Sequence, residues 1–325
     1  MTSAACVPFV PGVRAGSRAR GGVPAAFAEL LPLVSDAEVT DVFVSADGVW
    51  ADRGDGLCLQ SLRLPEARVR QLGVDLISLG GRHIDEASPC VDVRIGDGIR
   101  VHAVLAPVAV TGTQLSIRLP NHERLSLDEL ERRGAFERVG ADAVRALVRE
   151  RVNTLVVGAG GSGKTTLLAA MLGDVPHHER ILTVEDVAEL RIDHPHVVAL
   201  EAKQANLEGA GEVSLERLVR ESLRMRPDRL VLGECRGPEV RELLMALNTG
   251  HDGGAGTLHA NGIHEVPARL EALGALAGLT AEAMARQVVS AIGAIVHVER
   301  RDGWRGVAAI GRVVIDGGQL AIEGA

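Results

Sequence analysis

Residues 158–165 read Gly-Ala-Gly-Gly-Ser-Gly-Lys-Thr, the G-x-x-x-x-G-K-T pattern of a phosphate-binding loop. An apolar strand candidate, Thr154–Val157, precedes it, and a helix candidate, Thr166–Leu172, follows. Strand, glycine turn and helix start in this order require an α/β layer with the loop at a strand's C-terminal end. The glycines let backbone N–H groups turn inward and cradle phosphate oxygens at a helix N-terminus. Gly158, Gly160, Gly161, Ser162 and Gly163 form the candidate cradle, and Thr166 closes it. Lys164 reaches the β- and γ-phosphates, and Thr165 offers a hydroxyl to Mg²⁺. The expected ligand is a nucleoside triphosphate with Mg²⁺.

The chain has 325 residues, enough for two domains. Aromatic residues make up only 2% and Tyr is absent, so the core must be aliphatic and stacking platforms for bases are scarce. A net charge of −8 disfavours non-specific nucleic-acid binding. The four cysteines, at positions 6, 58, 90 and 235, show no C-x-x-C spacing, which leaves no zinc ribbon or redox motif. Reduced thiols in a cytoplasmic protein are the simplest expectation. No apolar run reaches a membrane-spanning length, so contact with a membrane machine would go through a partner.

Residues 1–24, with a basic cluster from Arg14 to Arg20, read as a flexible leader. Residues 25–120 read as a small α+β domain. A short helix over Ala25–Leu33 comes first. A hairpin over 41–52, a helix over 65–79, a second hairpin over 91–105 and a strand over 115–119 follow. Residues 121–135 read as linker, with Ser126 starting a helix at its end. From 136 to 325 helices alternate with apolar strands at 154–157, 181–184, 197–200, 229–233 and 294–298. That rhythm predicts a mainly parallel sheet covered by helices.

Three further segments carry chemistry. The strand Arg229–Gly233 runs into Glu234, and the C-terminal end of a parallel strand points into the ligand crevice. Glu234 is therefore the candidate catalytic base for an attacking water. The strand Ile181–Val184 runs into Glu185, a candidate for holding Mg²⁺ or its waters. The stretch Gly250–Ala260 reads as a glycine-rich turn with two histidines, of which His259 is the better candidate for a γ-phosphate sensor. An amphipathic helix over 214–225 starts at Ser214 and stops before Pro227. Its arginines, and Arg236 after Glu234, have three candidate partners: phosphate, Glu234 or a neighbouring subunit.

This ordered set resembles the type II/IV secretion ATPase superfamily. The matching elements are Gly158–Thr165, the acidic stretch Thr183–Leu190, the strand ending at Glu234, and Thr249–Ala260. Residues 225–229 and 248–253 look most like the Tad/Flp pilus-assembly branch. Residues 81–89, 97–101 and 115–118 are similar too. The resemblance implies an ATP-hydrolysing, RecA-like motor. It also implies a hexameric homo-oligomer with nucleotide between its domains, and an inner-membrane platform protein as partner. Arg100 and Arg118 match arginines that reach nucleotide phosphates in relatives. Leu119-Pro120 departs from the basic residues usual there, and the tetracysteine module of type II secretion ATPases is absent. Two alternatives remain open at this stage: a conjugation-type ATPase moving DNA–protein substrates, and a nucleotide-gated scaffold with negligible turnover.

Overall fold

The computed structural model describes residues 24–54, 56–96, 98–120, 124–203, 211–301 and 303–324. The leader, apart from Pro24, lies outside the described residues. Contacts divide the chain into two units between His122 and Glu123.

In the first unit a 3₁₀ turn, Ala25–Leu30, leads into the short α1 (Leu31–Val34). Next come β1 (Asp41–Ser45), β2 (Gly48–Asp52), β3 (Leu57–Leu59), α2 (Glu66–Leu79), β4 (Cys90–Ile95), β5 (Ile99–Val104) and β6 (Gln114–Arg118). The strands form one sheet in the order β3-β2-β1-β6-β5-β4, each pair antiparallel. Alternate residues, such as Val42 and Val44, Val101 and Ala103, and Leu115 and Ile117, are buried. They share a core with Val69, Leu72, Leu76 and Ile77 of α2, spaced as one helix face. Gly73 lets α2 approach the sheet closely, since a Cβ there would stand 2.9 Å from Leu115 Cδ2. On the opposite face Arg100 and Arg118 are direct cross-strand neighbours on β5 and β6.

The second unit contains α3 (Leu127–Arg132), α4 (Ala141–Arg149), β7 (Thr154–Gly158), α5 (Lys164–Gly173), β8 (Ile181–Glu185), β9 (Val197–Glu201) and α6 (Leu215–Ser222). It continues with β10 (Arg229–Cys235), α7 (Glu239–Leu247), β11 (Ala255–His259), α8 (Val266–Leu276), α9 (Ala281–Ala291), β12 (Ala294–Arg301), β13 (Trp304–Asp316) and β14 (Gln319–Glu323). The sheet order is β14-β13-β12-β7-β11-β10-β8-β9. From β12 to β9 every pairing is parallel, and the last two strands add an antiparallel edge. One face packs on α3, α4 and α5, the other on α6 to α9. This three-layer α/β architecture, beside a smaller α+β unit, is the fold class the sequence indicates.

Three local readings change. Residues 124–135 read from sequence as linker, yet Leu127 and Ala135 are buried in the core of the second unit, and Ser126 Oγ caps α3 by accepting from Glu129 N at 3.2 Å. The glycine-rich turn after Thr249 is half strand, because β11 is a central element of the sheet. Gly256 hid this: it lies where a Cβ would come within 3.1 Å of the Leu232 carbonyl oxygen, so the alternation loses a side chain. The hairpin of β13 and β14 has no counterpart in the sequence reading, since small residues from 306 to 311 blur its period.

Candidate active site

Four parallel strands end on one rim. The registers put Gly158 beside His259, and Val184 beside Leu232. The phosphate loop, Glu185, Glu234 and His259 therefore converge although up to about a hundred residues separate them. Gly158 has no room for a side chain, since a Cβ would run into the Val298 carbonyl. Gly161 and Gly163 take φ of 69° and 107°, the left-handed region where a Cβ is strained. Gly163 caps α5. Lys164 is buried, and its Nζ donates to the Gly158 and Ala159 carbonyls at 2.9 and 2.8 Å. Burial pulls the ammonium's pKa down, opposed by the charge of Glu234.

Glu234 reaches this rim through an irregularity in β10. Leu232 pairs with Gly256 and Cys235 pairs with Leu258, so Gly233 and Glu234 together stand against Thr257. One extra residue is a β-bulge. It leaves Leu232 and Cys235 in the same apolar layer and swings Glu234 out of that layer. Thr257 Oγ1 donates to the Gly233 carbonyl at 2.6 Å and fixes the bulge. The absence of a side chain at Gly233 leaves room for Glu185, since a Cβ would sit 2.5 Å from Glu185 Cγ.

The Glu234 carboxylate lies between two basic side chains. His259 Nε2 is 2.7 Å from Oε1, and Arg236 Nε is 3.1 Å from Oε2. Burial and the charge of Lys164 lower the histidine's pKa, with Glu234 opposing, which favours the neutral ring. Arg236 also reaches Asp186 Oδ2 at 3.2 Å. Of the three partners open for Arg236, the structure thus records Glu234. The turn behind it is held by Glu239, whose Oε1 accepts from the N–H groups of Arg236 and Gly237, both at 2.8 Å.

Glu185 is 4% exposed. Its Oε1 accepts from the N–H groups of Glu189 and Leu190 at 2.9 and 3.0 Å, while Oε2 has no partner. Burial raises its pKa, against those two hydrogen bonds. Thr183 Oγ1 and Ser162 Oγ are likewise buried without a partner. Orphaned buried oxygens are rare, and three in these segments fit a polar ligand with a cation or its waters. Among the described residues no group of three or more His, Cys, Asp and Glu side chains could hold a metal ion alone. Thr165 and Glu185 carry side-chain oxygens of the kind Mg²⁺ takes alongside phosphate oxygens and water.

Other candidates lie elsewhere. His251 approaches the Ala246 carbonyl at 3.1 Å, at the N-terminal end of β11. At that end Arg229, 2% exposed, contacts Glu179 at 2.5 Å, and Arg151 joins the same carboxylate at 2.8 Å. Arg220 and Arg224 pair with Glu242 and Glu221. Arg100 and Arg118 belong to the first unit. Asp186 and Thr183 lay inside the acidic stretch, but nothing in their spacing announced their roles.

Comparison with known proteins agrees with this geometry. The family model described as type II/IV secretion system protein matches residues 27–300. A protein of Mycobacterium tuberculosis, described provisionally as a conjugal transfer protein, is 50% identical over 290 residues, covering 86% of this chain and 82% of its own. The conjugal transfer protein TrbB of Rhizobium radiobacter is 30% identical over 293 residues, covering 87% and 86%. Among solved structures, the pilus retraction motor PilT with bound ADP shares the fold at a TM-score of 0.62 and 22% identity, covering 93% of this chain and 83% of its own. With a family model matching residues 27–300 and a relative 50% identical over 86% of its length, the chain belongs to the type II/IV secretion system ATPase family.

Proposed function

We propose that the chain is an ATP-hydrolysing motor that works as a hexameric ring at the cytoplasmic face of a membrane. It would drive assembly or secretion by a Tad/Flp-type pilus or a related envelope machine, through an inner-membrane platform protein. The observation that carries the reading is the convergence of Lys164, Glu185, Glu234 and His259 at the ends of four parallel strands.

The residue roles follow from their surroundings. Lys164 leaves two loop carbonyls and donates to the β- and γ-phosphates instead. Mg²⁺ supplies charge neutralisation of the phosphates, held through Thr165 and, by way of water, Glu185. Glu234 orients and deprotonates the attacking water. His259, 2.7 Å from that acid, senses the γ-phosphate. Arg100 and Arg118 contribute charge to the phosphates, as the resemblance implies. A nucleotide-gated scaffold is disfavoured, because a binding module has no use for an acid aimed by a bulge.

A conjugation-type motor is the second reading, favoured by the names of the Mycobacterium tuberculosis and Rhizobium radiobacter relatives. Phosphate release by the purified full chain tests the ATPase, and no release above a Lys164→Ala control would refute it. In the source cell, Lys164→Ala should abolish piliation under the first reading and conjugative DNA transfer under the second.

A further inference from the structure

Strand β11 lies between β7, which leads into the phosphate loop, and β10, which carries Glu234. Side chains alternate along a strand, so Thr257 and His259 share one face of β11 while Leu258 packs into the apolar core on the other. The end of β11 is tied down around His259. Ala260 N donates to the Gly158 carbonyl at 3.3 Å, and Arg269 of α8 donates from Nε to the His259 carbonyl at 3.1 Å. The histidine's backbone is therefore fixed to the first residue of the phosphate loop and to a helix.

The Glu234 segment is held differently. The register of β10 against β11 passes from Leu232 directly to Cys235, so Gly233 and Glu234 fall in the bulge, where strand pairing is interrupted. Gly233 has no side chain to pack and is the most permissive of backbones. The Thr257 side chain supplies the missing restraint. Thr257 is 2% exposed, and its hydroxyl donates to the Gly233 carbonyl at 2.6 Å, on the peptide group that leads into Glu234. One face of β11 thus meets this segment twice, at the backbone through Thr257 and at the carboxylate through His259 Nε2, 2.7 Å from Oε1.

We propose that Thr257 is a positioning residue for ATP hydrolysis, whose hydroxyl, by holding the Gly233 carbonyl, sets the Glu234 carboxylate relative to His259 and the γ-phosphate. This rests on the ATPase reading above. Thr257 acts only through Glu234. Strand β11 then sets the spacing of loop, base and sensor together, because all three are bonded to it.

The test uses the full chain with Thr257→Val, which keeps the branched shape and removes the hydroxyl, and Thr257→Ser, which keeps the hydroxyl. Single-turnover phosphate release and ADP affinity are measured for each, with Glu234 intact and in a Glu234→Gln background. Thr257→Val should slow release about tenfold, the order of loss expected when an acting group is displaced, and leave ADP affinity within about twofold. Thr257→Ser should recover most of the rate. In the Glu234→Gln background, Thr257→Val should change the rate by about threefold at most, because a residue that acts through an acid loses its effect once the acid's basicity is gone. A normal rate in Thr257→Val would overturn the assignment. So would a loss that persists undiminished beside Glu234→Gln, a loss of ADP affinity as large as the loss of rate, or equal losses in Thr257→Val and Thr257→Ser. If Thr257→Val unfolds below the assay temperature, Thr257→Ser and Thr257→Ala, which differ only in the hydroxyl, take its place. A faster serine variant then supports the assignment and equal rates overturn it. Lys164→Ala is run in parallel. If wild type releases phosphate no faster than that control, the ATPase reading fails and this inference with it; if wild type exceeds the control and Thr257→Val matches wild type, only this inference fails.

Discussion

His259 Nε2 and Glu234 Oε1 lie 2.7 Å apart, at the ends of adjacent parallel strands. Arg236 holds the other oxygen of the same carboxylate. An acid held between two basic side chains is aimed but not free, so a bound γ-phosphate that draws His259 away would leave one oxygen open to water. Glu234→Gln keeps this shape and removes the basicity. Turnover should fall at least ~10²-fold while nucleotide still binds. Single-turnover phosphate release is the measurement. A deeper loss in Glu185→Gln than in Glu234→Gln would exchange the roles of the two acids.

Lys164→Ala removes the ammonium that rests on two loop carbonyls. Steady-state ATP turnover should drop to background, and nucleotide affinity should fall with it. Near-normal turnover in this variant would dismiss the loop as the phosphate site.

Gly233→Ala places a methyl group against Glu185 Cγ, where only 2.5 Å is available. The acid must shift, so turnover should fall about tenfold or more, the usual cost of a displaced acting group. Phosphate release and a thermal melt on the same sample check this. A normal rate would mean that the position of Glu185 does not matter to the chemistry.

How much of this was readable from the chain alone follows from the kind of signal each part emits. The loop, Glu185 and Glu234 each sit where an apolar run meets a glycine or an acid, and that junction is local. Ser126 and Ser214 were legible as helix starts for the same reason, and both side chains accept from an N–H three residues on. Strand β11 was not legible, because Gly253 to Gly256 carry almost no side chains and their burial comes from neighbours. The Arg236–Asp186 contact joins residues far apart in sequence, and only the sheet order brings them together.

The buried Glu179 tests stability apart from the site. Burial pushes its carboxyl up, but the hydrogen bond from Arg229 and the charges of Arg229 and Arg151 outweigh this and hold it below its ordinary value. A folded pKa below the unfolded one means the stabilisation is complete above the unfolded pKa and fades as pH falls through the folded one. Glu179→Gln should cost about 3 kcal/mol at neutral pH, because Arg229 is left buried without its anion. The gap to wild type should narrow below about pH 4, where the unfolded carboxylate binds its proton. Denaturant unfolding at a series of pH values measures both. A gap that stays constant into acid would show that the pair adds no pH-dependent stability.

The bulge in β10 makes strand length, and not only residue identity, a determinant of activity. Removing Gly233 would restore strict alternation and put Glu234 in the glycine's place, on the face away from Leu232, where a Cβ has only 2.5 Å to Glu185 Cγ. A single-residue deletion there would therefore harm folding and catalysis together. Inserting a residue would carry the same penalty. Along Arg229–Cys235 the chain can exchange one apolar side chain for another, but it cannot change its count.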